Sequence, residues 1–173
     1  MPRDESSDLN YIVYCKVSGG RGRASIVRSD EVRELATQAK TPLFPGSLNV
    51  LITHPVYLLP KTADYTRGGH MYFLAKVNEV DVYLNRWKGS PAHVFEVFST
   101  QHLRSSLRVE NGSVLKLKIP IHCVDQRRTS NKGNRLTWFV LWRFREELYY
   151  LSDWYARYVR SGWRVRLGSR ANQ

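Results

Sequence analysis

From Tyr11 to Ile119 the apolar residues come in short runs separated by Gly, Pro and Asn. Tyr11 to Val17 is β-rich and leads into Ser18-Gly19-Gly20. Ala24 to Val27 reads as the returning strand. Ser47–Ile52, Met71–Val77, His93–Phe98 and Ser113–Ile119 read as further strands. Val80 to Trp87 shows the clearest alternation, with Val80, Val82 and Leu84 set against Asp81, Tyr83 and Asn85. Only a strand with one buried face needs that period of two.

Two stretches change to helical spacing. Val32, Leu35, Ala36 and Ala39 predict a helix over 31–40, with Ser29 or Asp30 as its cap. Pro42 and Pro45 end it. Ser99 or Thr100 could cap a second, short helix reaching Leu107. Residues 53–69 hold Pro55, Pro60, Gly68 and Gly69 and read as turns and loops. Asn78-Glu79, Lys88–Pro91 and Glu110-Asn111-Gly112 supply the remaining turns. The expectation is mainly β: a six-stranded barrel with short helices rather than a doubly wound sheet.

The pattern differs after Pro120. Residues 125–135 are polar and basic and read as a loop. Residues 136–161 contain no Gly or Pro, and Leu141, Phe144, Leu148, Leu151, Tyr155 and Val159 fall on one helical face. Gly162 stops this long C-terminal helix. The expected organisation is a flexible N-terminus at 1–9, a barrel domain at 10–119 and a helical extension at 120–173.

Charge sharpens that boundary. The net charge is +12 over 173 residues. Residues 1–119 carry 16 basic and 11 acidic side chains, residues 120–173 carry 11 and 4. The extension also holds 10 of the 21 aromatic rings. No stretch is apolar enough to predict a transmembrane helix. Met1 to Asp8 lacks the apolar run of a signal peptide. Cys15 and Cys123 are far apart, with no Cys or His in metal spacing, and read as reduced thiols of a cytoplasmic protein.

Three segments could carry chemistry. Gly19, Gly20 and Gly22 offer backbone N–H groups without Cβ crowding, and Arg21 and Arg23 add charge. That suits phosphate, and it also suits an ordinary hairpin turn. On a strand, Ser47 and Asn49 share a face and present two neutral oxygens, with Leu48 and Val50 turned to the core. Mg²⁺ takes such oxygens together with phosphate; solvent-facing strand residues look the same. Glu96 stands between Phe95 and Val97 and must face away from them. It fits a general base or a ligand acceptor, and equally a solvated position.

Four segments occur in an order that resembles the archaeal-type CTP-dependent riboflavin kinases. They are Gly20-Arg21-Gly22-Arg23-Ala24, Pro45-Gly46-Ser47-Leu48-Asn49-Val50, Glu96 followed by Gln101-His102-Leu103-Arg104, and Glu110-Asn111-Gly112-Ser113-Val114-Leu115. The resemblance spans about residues 10–119, and Pro-Gly-Ser-Leu-Asn is its most specific part. It implies a six-stranded cradle-loop barrel. Ser18 to Ala24 would hold the phosphates of CTP, with Gln101, His102, Leu103 and Arg104 framing the cytidine. Ser47, a Thr in the family, and Asn49 would bind Mg²⁺. Glu96 would meet riboflavin beside the hydroxyl to be phosphorylated.

The chain departs from the family on the acceptor side. Eight residues before Glu96 the family has Thr or Ser, and here stands Lys88, preceded by Trp87. Lys88 could meet a phosphate or an acidic acceptor, or Ser90 could take the family residue's place; a surface loop lysine fits as well. The same phosphotransfer to another alcohol, a sugar or a lipid-linked acceptor, therefore stays open. So does a non-catalytic barrel with a nucleic-acid-binding or regulatory role. In 136–166, Trp138, Trp142, Trp154 and Trp163 interleave with Arg143, Arg145, Arg157, Arg160, Arg164 and Arg166. This suits packing or a homo-oligomer first, an anionic membrane surface next, and nucleic acid last. The five histidines, at 54, 70, 93, 102 and 122, show no metal-ligand spacing.

Overall fold

A computed structural model describes residues 9–19, 29–38, 40–87, 90, 92–133 and 136. The strands among them are β1 (Asn10–Ser18), β2 (Leu48–Ile52), β3 (Tyr65–Arg67), β4 (His70–Val77), β5 (Val80–Trp87), β6 (Val94–Phe98) and β7 (Val114–Pro120). The α-helices that accompany them are α1 (Ser29–Gln38), α2 (Leu103–Ser106) and α3 (Gln126–Ser130).

The sheet runs β3-β4-β5-β6-β2-β1-β7, and β4 pairs again with β7. Every pairing is antiparallel. Six strands therefore close into the expected barrel. The closing seam is short, just Lys76↔Lys118 and Val77↔Leu117. Further along β4, the same edge is taken by β3, from Tyr65↔Tyr72 to Arg67↔His70.

Alternation fills the interior. Val13, Cys15 and Val17 of β1, Leu48, Val50 and Ile52 of β2, and Phe95 and Val97 of β6 join one core with Phe73, Leu84, Leu115 and Leu117. Two tight turns hold the meander in register. Asn78 and Glu79 link Val77 to Val80 at φ 44° and 68°, and Gly68 and Gly69 link Arg67 to His70 at 55° and 84°. Two successive positive φ angles match the right-handed twist of the strands they join. The second turn belongs to a hairpin absent from the sequence expectation, because a three-residue strand is too short to show a period.

Helix α1 lies on the outside of the barrel. Val32 and Leu35 pack on Tyr65, Tyr72 and Phe98, and an ion pair from Glu34 to Arg67 ties the helix to β3. The helix runs Ser29–Gln38, two residues earlier than its apolar spacing suggests. The second helix is shorter than expected and starts after His102, not after Ser99 or Thr100.

Packing continues past Pro120. Cys123 and Val124 join the barrel core, Val124 bridges to Leu58, and the Leu59 N–H donates to the Cys123 carbonyl at 2.8 Å. The basic stretch expected to be a loop contains α3 instead. The Asp125 carboxylate caps it by accepting from the Arg128 N–H at 3.0 Å. Thr129 is buried, and its hydroxyl accepts from the Tyr57 N–H at 3.1 Å. Both cysteines are free and buried, and burial pushes the Cys15 thiol up to about 12. Among the described residues no helix is long and apolar enough to cross a membrane. The expected strand at 24–27 and nearly all of the expected helix at 136–161 lie outside the described residues.

Candidate functional site

Strand register gathers a polar row on the outside of the barrel. Ser18 pairs with Asn49, Asn49 with Glu96, Glu96 with Asn85, and Asn85 with Tyr72. All five stand at outward positions, because their chain neighbours fill the core. Directly opposed residues on adjacent strands bring their Cβ atoms to about 5 Å. Five strands thus place one side chain each along a single line.

This line is buried although it lies outside the barrel. Asn49 is 7% exposed and Asn85 0%. Ser18 and Tyr72 are also buried, and Glu96 is half-buried. The aromatic cluster under α1, with Tyr72, Phe98 and Tyr83, flanks it on one side. Leu51, Val94 and Trp87 form an apolar patch on the other.

Buried polar groups need partners, and here the partners are specific. Asn85 Nδ2 donates to Glu96 Oε2 at 2.8 Å. Asn85 Oδ1 lies 3.2 Å from His70 Nδ1. Asn49 Oδ1, by contrast, has no hydrogen-bond partner. An amide oxygen buried without a donor costs about 1–3 kcal/mol. A bound cation or hydrogen-bond donor would remove that cost.

The other predicted residues arrive by separate routes. Gly46 enters β2 at φ 136°, a backbone conformation that side-chain-bearing residues rarely take. Ser47 follows, half-buried and just ahead of the strand. The Phe44 N–H donates to the Ser99 carbonyl at 2.8 Å, and the Phe44 ring lies 4.8 Å from that of His102. These contacts join the Pro-Gly-Ser segment to the chain after β6. One guanidinium nitrogen of Arg104 donates to the Ser18 carbonyl at 3.1 Å and to Asn111 Oδ1 at 2.9 Å. Arg104 thereby braces the end of β1, where the glycine segment begins. Gly19 sits against the Asn111 side chain.

No protein-family model matches the chain, and no curated protein matches it.

Ser18, Asn49 and Glu96 come together in the row, and Arg104 meets Ser18. The Leu103 side chain is buried in the barrel core. Gln101 and His102 are exposed, and His102 Nδ1 lies 2.6 Å from the Ser105 hydroxyl. Ser90 is half-buried in the β5–β6 connection; its N–H donates to the Trp87 carbonyl at 2.9 Å. Gly20, Arg21, Gly22, Arg23, Ala24 and Lys88 lie outside the described residues. Among the described residues no three His, Cys, Asp or Glu side chains cluster as metal ligands.

Sequence reasoning missed Asn85 and His70. Asn85 was visible only as one polar member of an alternating strand. The signal available was its type: an amide between Leu84 and Arg86 either faces water or needs a buried partner. The register, not the local pattern, supplies that partner.

Proposed function

We propose that this chain is a CTP-dependent kinase that phosphorylates riboflavin, giving FMN and CDP. The observation that carries the reading is the pairing of Asn49 with Glu96, one strand from Ser18, with Asn49 Oδ1 buried and lacking a donor. The resemblance assigns metal binding, the acceptor and the donor phosphates to these same three positions.

The residues present fit a Mg²⁺ ion. An orphaned buried amide oxygen is a hard, neutral ligand, and Ser47 stands two positions before it with a second. Mg²⁺ bound there would neutralise charge on the donor phosphates. Phosphoryl transfer depends mainly on such neutralisation and on positioning.

The protein's own groups divide the remaining work. Backbone N–H groups of the glycine segment after Ser18 would hold the phosphates, with Arg104 fixing the strand end from which that segment starts. Glu96 would take the proton of the acceptor hydroxyl as its oxygen bonds to the γ-phosphorus. The bond from that phosphorus to the β–γ bridging oxygen breaks, and CDP leaves. The half-buried Glu96, near apolar Val94 and Trp87, suits an acceptor whose hydroxyl-bearing chain hangs from a large flat ring system. Two free buried thiols suit a reducing compartment, and we place the reaction in the cytoplasm.

The test is an FMN assay on the purified chain with riboflavin and either CTP or ATP, with and without Mg²⁺. FMN forming with CTP and Mg²⁺ is the expected result. Tight CTP binding without FMN would move the reading to another alcohol. Absence of both nucleotide and flavin binding would overturn it.

A further inference from the structure

An ionised carboxylate can only accept hydrogen bonds, so Asn85 must turn its Nδ2 toward Glu96. Its Oδ1 then faces His70 Nδ1, at 3.2 Å. An amide oxygen can only accept, so the proton must sit on Nδ1 of His70. The hydrogen bond from Asn85 to Glu96 thus fixes the tautomer of a histidine two strands away.

We propose that His70 and Asn85 form a directional relay that positions Glu96 for its role as base. The relay runs His70 Nδ1–H to Asn85 Oδ1, then Asn85 Nδ2–H to Glu96 Oε2. Its middle member is locked. Asn85 is 0% exposed and pairs with Glu96 on β6 and with Tyr72 on β4. His70 is half-buried, pairs with Trp87, and holds its ring 6.3 Å from the Trp87 ring.

The chemical consequence is orientation. A glutamate has three rotatable bonds, and holding it in one pose otherwise costs side-chain entropy at each turnover. A buried amide, itself held from behind, removes most of that freedom. Misplacing a reacting group by about 1 Å costs on the order of 10²-fold in rate. His70 and Asn85 are positioning residues, since neither needs to touch the reacting atoms. Nothing in the local sequence links residues 70, 85 and 96; only the β4–β5–β6 register does.

The catalytic half of this inference rests on the kinase reading, while the tautomer half does not. The first measurement is therefore nitrogen-15 NMR of the histidine rings in the full chain. Neutral His70 should be protonated at Nδ1; finding the proton on Nε2 would overturn the relay whether or not the protein is a kinase.

The second measurement is turnover of His70→Ala and His70→Asn, substitutions at a half-buried site that spare the buried amide. An asparagine amide nitrogen stands in for Nδ1. His70→Ala should lower kcat about tenfold with the KM for CTP unchanged, and His70→Asn should restore most of it. Equal loss in both variants, or none in either, would refute the positioning role and leave the kinase reading intact. A wild-type protein that makes no product but shows the Nδ1 tautomer would refute the kinase reading, and positioning for catalysis with it, and leave the directional hydrogen bonds standing.

Discussion

Two outer faces of the same barrel wall use the same alternation and end differently. On β7 and the part of β1 paired with it the outward residues include Ile12, Tyr14, Lys16, Val114, Lys116 and Lys118, and Ile12, Tyr14 and Val114 are 49%, 55% and 67% exposed. On β2, β6 and β5 they include Asn49, Glu96 and Asn85, and both asparagines are buried. On the first face Lys16, Lys116 and Lys118 are half-buried, and water still reaches them. Lys118 there adds an ion pair with Glu79, and neighbouring β4 contributes Lys76 paired with Asp81. On the second face each polar group must find a partner within the protein or within a ligand. A polar side chain is thus informative only where the fold has taken water away from it.

The sharpest break between the faces should come at Glu96. Glu96→Gln should lower phosphotransfer by about 10²–10⁴-fold while keeping CTP binding, as loss of a general base does. Lys116→Gln, on the open face, should leave turnover unchanged. Equal turnover in both variants, measured as FMN formed, would remove the functional distinction.

Packing should separate the faces nearly as well. Phe98 is 0% exposed under α1, and Phe98→Ala should cost about 3–5 kcal/mol in denaturant unfolding. Tyr14→Ala, over half exposed, should stay within about 0.5 kcal/mol of wild type.

A third contrast lies between the outer row and the barrel interior. His93 is 1% exposed, and burial, helped by the nearby Arg86 charge, holds its pKa down at about 3. Between about 3 and the unfolded value of about 6.5, only the unfolded chain binds this proton. Stability is therefore complete above pH 6.5 and falls as the pH drops through that window. Lowering the pH from 6.5 to 5 should cost about 1.6 kcal/mol through His93 alone. Urea unfolding of wild type and His93→Gln at both pH values checks this; the variant should lose less on acidification.

The smallest effect concerns the turn into β2. Gly46→Ala should destabilise by about 1–2 kcal/mol, because its φ of 136° suits only glycine. If Asn49 must be aimed by this turn, the variant should also weaken Mg²⁺-dependent CTP binding. Calorimetric titration with and without Mg²⁺ reads that second effect separately.

Much of the barrel was legible from local pattern. The alternation from Val80 to Asn85 and the outward turn of Glu96 between Phe95 and Val97 follow from a period of two, which any half-buried strand enforces. Asn78-Glu79 was legible as a turn for the same local reason. Three features were not. β3 is three residues long, too short to show a period. α3 sits in a basic stretch with no apolar repeat, and its cap, Asp125, was read as part of the loop. Leu103 was placed with the nucleotide by the resemblance, and only the structure turns its side chain into the core and sets Arg104 on Ser18.

The sequence by itself determined which residues face in and which face out, because side-chain period is a property of each strand alone. It also held Ser18, Asn49 and Glu96 as separate candidates, spread over 79 positions of the chain. Only the tertiary structure made them neighbours, and only it brought Asn85 and His70 to Glu96. Register between strands is set by turn geometry and by core packing summed over the whole sheet. Burial of the outer face likewise depends on what lies over it, as α1 does over Tyr72 and Phe98. Those are non-local terms, and they decided which of many polar residues had lost their water.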